Sequence, residues 1–195
     1  MELTGYEDLR VQKTINGIYT AFEALICEKA YEKITVKALA ERAQINKKTF
    51  YRYYPTLDDL LAEMQARYAK DYLDQIKTFQ YPRDLAKSLR VFFTYSAAQG
   101  EAYDRITTSG RGSSYVGIRQ QMIDQVMGTT WGASPEFKVL SDWQRAVLLT
   151  FIQQTGLTVY QQWIAGGKTV PLDEVIAAAT ALMQGGVNQY LQLNR

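Results

Sequence analysis

An all-α fold follows from three features of this 195-residue sequence. Apolar residues recur along most of it at alternating steps of three and four, the spacing of one helix face. Alternation of period two, the mark of a half-buried strand, persists nowhere. Only 4 prolines and 13 glycines punctuate the chain, too few for a many-turned β protein and enough to separate about nine helices. The length suits about one to two domains and a sizeable core without disulfides or metals.

Each element has its own signal. Val11, Ile15, Ile18, Phe22 and Leu25 make one stripe of a helix over residues 8–28. Thr35 offers a capping oxygen to a short helix over 36–43, with Leu39 inward. Gln44 and Ile45 form a tight turn, and Asn46 caps a second short helix over 47–53 that Pro55 stops. Thr56, Asp58 and Asp59 then open a helix reaching residue 77, the carboxylates lying where the helix dipole favours them. Leu85, Leu89, Phe92, Phe93 and Tyr95 mark a helix over 84–98, and a shorter piece covers 101–108. Ser109 to Ser114 reads as a loop, 115–127 as helix, and Gly132 to Pro135 as a break. The last two helices are the most apolar. Residues 141–165 are apolar on more than one face, which predicts burial on two sides, and 172–190 carry Leu172, Val175, Ile176, Ala179, Met183 and Tyr190.

Composition excludes several chemistries. Histidine is absent and cysteine occurs once, at Cys27. That removes Ser-His-Asp and Cys-His catalysis, His-based zinc sites, an internal disulfide framework and the usual neutral-pH switch. The carboxylate pairs Asp58-Asp59, Asp71 with Asp74, and Asp173-Glu174 sit at helix starts or on polar faces, with no glycine-rich phosphate loop beside them. No enzyme, metal or cofactor is expected. The longest apolar runs, 146–149 and 175–183, are far short of the ~18 residues that cross a bilayer. The amino terminus is acidic and lacks the apolar stretch of a signal peptide. A soluble, cytoplasmic protein with no membrane partner is expected.

Charge is uneven although the total is only +2. Between residues 29 and 54 lie Lys29, Lys33, Lys37, Arg42, Lys47, Lys48 and Arg52, against Glu32 and Glu41 alone, a local +5. Residues 55–195 carry 13 basic and 13 acidic side chains. Charge alone would also describe a solvated basic face. Two short helices joined by a tight turn, however, have the layout of a helix-turn-helix. From Asn46 to Tyr54 there is no acid. Phe50 and Tyr54 fall on one side of the second helix; Lys48, Thr49 and Arg52 fall opposite, flanked by Lys47, Tyr51 and Tyr53. Such donors suit phosphates and base edges.

At these residues the sequence resembles the TetR family of transcriptional regulators. The family pattern has a threonine opening the second helix, an Ile-Ala or Leu-Ala pair, Ala-Gly-Val at the turn, Ser-x-Gly-Thr-Leu-Tyr-x-His-Phe, then Lys-Glu before Leu-Leu. Thr35, Leu39-Ala40, Ala43, Thr49, Tyr51 and Leu60-Leu61 match outright; Ile45, Asn46, Phe50, Tyr54 and Asp58 are close substitutes. The likeness covers about residues 10–62. Beyond them, Phe151, Gly156, Trp163, Ile164, Gly166 and Gly167 look like the dimerisation helix of many members. Gln44 replaces the turn glycine, so a non-glycine residue must accept a positive φ. Lys48 replaces a glycine on the recognition helix, Leu57 a lysine that touches phosphate, and Tyr53 a histidine.

The resemblance implies a three-helix DNA-binding domain over residues 1–56 and a larger helical effector-binding and dimerisation domain over 57–195. It implies a homodimeric regulator, a repressor as in most members, on a palindromic operator in double-stranded DNA, modulated by a small molecule of unknown identity. The DNA contacts expected are Thr35, Lys37, Asn46, Lys47, Lys48, Thr49, Tyr51, Arg52 and Tyr53. Phe92, Phe93, Tyr103, Tyr115, Met122 and Trp131 form an aromatic, methionine-containing region suited to an apolar effector, with Arg105, Arg111 and Arg119 near by for an anionic one. Phe151, Val159, Trp163, Ile176, Ala179 and Met183 are the expected dimer contacts, in a four-helix bundle of two helices per chain. The rival reading keeps the helical fold as a sensor or co-regulator acting through a protein partner.

Overall fold

A computed structural model describes residues 9–108, 130–132 and 134–193. Among them are nine α-helices, one turn of 3-10 helix and no strand. The helices are α1 (Leu9–Glu28), α2 (Val36–Arg42), α3 (Lys47–Tyr53), α4 (Leu57–Ile76), α5 (Leu85–Ala98), α6 (Glu101–Thr108), α7 (Pro135–Lys138), α8 (Asp142–Ala165) and α9 (Leu172–Leu193), with the 3-10 turn at Tyr31–Lys33. Most helix ends fall within a residue or so of the expected ones because the caps were readable. The Thr35 hydroxyl accepts from Ala38 N at 3.2 Å, and Ser141 and Gln144 form a reciprocal box at the start of α8. Two elements were not anticipated. One is the 3-10 turn. The other is α7, where Ser134 caps and Pro135 takes the first position: what read as a break is a helix start. The expected helix over 115–127, and the loop before it, lie outside the described residues.

The described residues pack as two compact units, 9–69 with 99–108, and 70–98 with 130–132 and 134–193. In the first, Ile15, Ile18, Phe22 and Leu25 of α1 close on Leu39, Phe50, Leu60, Leu61, Met64 and Ile106. This core takes in the start of α4, past residue 56. Polar bonds fix α6 to it: Arg105 Nη1 donates to the Ile26 carbonyl at 3.2 Å, and Gln65 Nε2 to the Ile106 carbonyl at 2.5 Å. Cys27 packs at the margin, and burial pushes its thiol up, as suits a small hydrophobe rather than a nucleophile.

In the second unit α9 packs on both α5 and α8. Leu85, Leu89, Trp131, Phe137, Leu148, Met183, Val187 and Leu191 are buried together. Tyr81 stacks on Trp131 with centroids 4.9 Å apart, and burial pushes its phenol up to about 12. Asp84 holds the entry to α5. It accepts from Gln80 N at 2.9 Å, and Lys87 and Arg83 lie 3.2 and 3.4 Å away. No helix among the described residues is long and apolar enough to cross a membrane.

Candidate nucleic-acid interface

Seven residues make a helix of two turns, too short to stand on propensity alone. α3 is held by its neighbours instead. At its start Asn46 Oδ1 accepts from Thr49 N at 2.8 Å and from the Thr49 hydroxyl at 3.1 Å. Behind it the chain turns through Gln44 at φ 55°, the left-handed region, so the side chain standing for the usual glycine does adopt the strained conformation. That turn lets Ile45 N reach back to the Ala40 carbonyl at 2.9 Å, closing α2. Phe50, fully buried, and Tyr54, 1% exposed, point into the core.

The opposite side is open. Lys47, Lys48, Tyr51 and Arg52 are exposed, as are Thr35, Lys37 and Asn46, while Thr49 and Tyr53 are half-buried. Among the described residues no acidic side chain pairs with Lys47, Lys48 or Arg52. The Arg52 guanidinium lies 5.9 Å from the Tyr53 ring centroid. Two other basic groups are partly spoken for: Arg42 lies 2.6 Å from Glu28, and Lys37 3.9 Å from Glu41. Both pairs are solvated and worth little. The nearest acids in sequence are turned to local work. Asp58 accepts from the Tyr31 hydroxyl, and Asp59 Oδ2 accepts from Thr56 N and Oγ1 at 2.9 and 2.7 Å. Leu57, where a phosphate-touching lysine was the family pattern, packs against the core.

A cationic, hydroxyl-bearing helix face braced from behind is a surface for a polyanion of regular shape. Residues 18–64 match the family model of the bacterial regulatory proteins of the tetR family. The amino-terminal domain belongs to the TetR family. A domain of this kind supports a DNA-binding role in the regulation of transcription. Over most of its length the chain is also similar to a TetR family protein from Vibrio parahaemolyticus, with 18% identity and a TM-score of 0.58, covering 88% of this chain and 97% of that one. The fatty acid degradation regulator FadR from Bacillus halodurans matches with 18% identity and a TM-score of 0.61, covering 89% of this chain and 96% of that one. At such identity the likeness shows the fold, here a TetR-like one. A search of the curated proteins gives no match.

The other expected site residues are dispersed. Phe92 is half-buried against Tyr72, Phe93 and Tyr160, with centroids 5.6, 5.2 and 5.9 Å away. Trp131 is buried in a separate group with Tyr81 and Phe137. Tyr103 belongs to the first unit, edge-on to Tyr68 at 4.8 Å. Tyr115 and Met122, with Arg111 and Arg119, lie outside the described residues. The six aromatic and methionine positions are therefore not brought together as one described cluster.

The expected dimer contacts also divide. Phe151 is 39% exposed, and Val159 and Trp163 are half-buried. Ile176, Ala179 and Met183 are 3%, 0% and 0% exposed within a single chain. They are buried in the core of the single chain, whereas the other three expected contacts are at least partly open. Apolar residues that do face out include Trp143, Val147 and Phe151, at steps of four on α8, and Leu182 on α9. At Gly186 an added Cβ would meet the Phe151 ring at 3.3 Å, so α8 and α9 approach closely at this face.

Proposed function

We propose that the protein binds a palindromic operator as a homodimer, acts as a repressor, and is released by a small molecule. The observation that carries the reading is the exposed face of α3. Lys47, Lys48, Tyr51 and Arg52 project from a helix whose back is fixed by Phe50 and Tyr54, with Thr35, Lys37 and Asn46 beside the turn. Lys48 is assigned to a base edge and Tyr51 to a phosphate; Thr49 and Tyr53 serve phosphates where their burial allows.

Support for the dimer comes from Trp143, Val147 and Phe151, exposed at steps of four along α8, with Leu182 exposed on α9: a run of outward apolar side chains is the kind of surface that marks protein–protein contact. Two helices from each chain would form a four-helix bundle through them. We place the effector beside Phe92, which is half-buried against Phe93 and Tyr160 in the second unit. It must bind the DNA-incompetent state more tightly, with a coupling of about 1–3 kcal/mol. Release follows if it alters the spacing of the paired recognition helices, since half-sites accept only about 34–36 Å.

A mobility-shift titration with DNA from around the protein's own gene, at low and at high salt, tests this. A discrete complex that outlasts competition by unrelated duplex is expected. Binding that vanishes uniformly with salt, or none at all, would favour action through a protein partner.

A further inference from the structure

Tyr54 stands where the family pattern has phenylalanine, so the ring satisfies the packing and the hydroxyl is extra. That hydroxyl is directed. It donates to Glu63 Oε1 of α4 at 3.0 Å, and it lies 3.4 Å from the Tyr19 hydroxyl of α1. Tyr19 donates to the same carboxylate oxygen. The Arg67 guanidinium, one turn further along α4, covers the Tyr19 ring at 4.2 Å. A single oxygen on α4 thus collects one phenol from α1 and one from the residue that ends α3.

The mechanical consequence follows from the shortness of α3. Phe50 anchors its middle and Tyr53 packs half-buried against the same core, but packing alone leaves a short helix some freedom to rotate. A second anchor at the end of the helix removes the remaining rotation. Tyr54 supplies it, since its backbone N–H bonds the Phe50 carbonyl at 3.0 Å while its side chain bonds Glu63. Burial pushes the Tyr54 phenol above its ordinary range, so it remains a donor at any working pH. Hydrogen bonds to a carboxylate are roughly twice as strong as neutral ones.

We propose that Glu63 is a positioning residue for sequence readout, setting through Tyr54 the angle at which α3 offers Lys48 and Arg52 to the bases. The proposal rests on the reading of α3 as the base-reading helix. Phosphate contacts tolerate a range of helix angles, whereas base contacts do not. Loss of the anchor should therefore cost discrimination before it costs affinity.

The test compares Tyr54→Phe, Glu63→Ala, their double variant and Glu63→Gln with the wild-type chain. Each is titrated against the duplex most enriched by the wild type from a randomised library, and against a scrambled duplex of equal length. The ratio of the two affinities should fall about tenfold in Tyr54→Phe and in Glu63→Ala, in keeping with one charged hydrogen bond. It should fall no further in the double variant, and Glu63→Gln, which keeps an acceptor, should restore most of it. Affinity for the scrambled duplex should hold. Thermal melts run alongside expose the merely structural alternative, in which melting temperature and both affinities decline in parallel; that result overturns the proposal. So does an unchanged ratio, or losses that add in the double variant. A wild-type chain that enriches no sequence removes the base-reading helix itself, and Glu63 with it; enrichment with unaltered ratios sinks Glu63 alone.

Discussion

Gln44→Gly should stabilise the amino-terminal domain. Gln44 sits at φ 55° and its side chain is exposed, so truncation removes strain and no packing. A non-glycine residue in the left-handed region costs roughly 1–2 kcal/mol. Glycine returns part of this through its freer unfolded chain, about 0.4–1 kcal/mol. The balance is a gain of about 0.5–1 kcal/mol, which for a chain of this size raises the melting temperature by roughly 1–4 °C. Gln44→Ala is the control: alanine has the same Cβ and the same strain, so it should stay near the wild type. Chemical denaturation followed by circular dichroism gives the free energies, with a thermal melt as a second reading. The main-chain bonds of the turn, Gln44 N to Glu41 O at 3.2 Å and Ile45 N to Ala40 O at 2.9 Å, survive either change. A loss of stability with glycine, or an equal gain with alanine, would show that the left-handed conformation carries no cost here.

Lys48→Ala should cost about 1–3 kcal/mol on the preferred duplex and relax preference at one base position, while Tyr51→Phe weakens all duplexes alike; a uniform loss with Lys48→Ala refutes the base contact. Leu182→Asp leaves the protomer folded but buries an unpaired carboxylate in the dimer, a penalty of about 3–5 kcal/mol, so sedimentation should show monomers; Ile176→Asp, in contrast, should unfold the chain. Phe92→Trp should alter effector affinity while leaving operator binding alone, and with no histidine present the response should be flat between about pH 6 and 8; unchanged affinity moves the effector elsewhere. The Gln80 backbone N–H above all, then Lys87 and Arg83, hold the Asp84 carboxyl at about 2, below its ordinary 3.8. Its stabilisation is complete above about pH 4 and lost as pH falls through about 2. Asp84→Asn should flatten the stability curve across that window, and an unaltered slope would deny Asp84 this part.

Local chemistry was the legible part of this fold. Thr35, Asn46 and Ser141 name their helices because a cap is a contact over three residues, and Phe50 and Tyr54 sort to the inner face by the period of the helix. What escaped was long-range. Ile176, Ala179 and Met183 form the most regular stripe on α9, but periodicity cannot tell a stripe covered by the same chain from one covered by a copy. The structure sends that stripe inward, and Leu182, on another face, outward. Phe151 is among the expected contacts, and Trp143 and Val147, eight and four positions before it, carry the same spacing. Tyr19 meets Glu63 across 44 positions, a pairing that no local pattern announces. Tyr103 is only eleven positions from Phe92 along the chain, yet the fold assigns it to the other unit.

The division of labour on α3 has a consequence for how such a protein changes over generations. The cap and the inner face of the helix lie in Asn46, Thr49, Phe50 and Tyr54; Lys47 and Lys48 make no hydrogen bond or ion pair among the described residues. Substitutions at exposed positions of this kind usually move stability by less than about 0.5 kcal/mol. The letters that choose a target can therefore be rewritten while the grammar that folds the domain is left untouched. A duplicated copy could drift to a new operator through Lys47, Lys48 and Arg52 without passing through an unfolded ancestor. A change at Asn46 carries no such freedom, because the side chain offered to DNA is also the one that starts the helix.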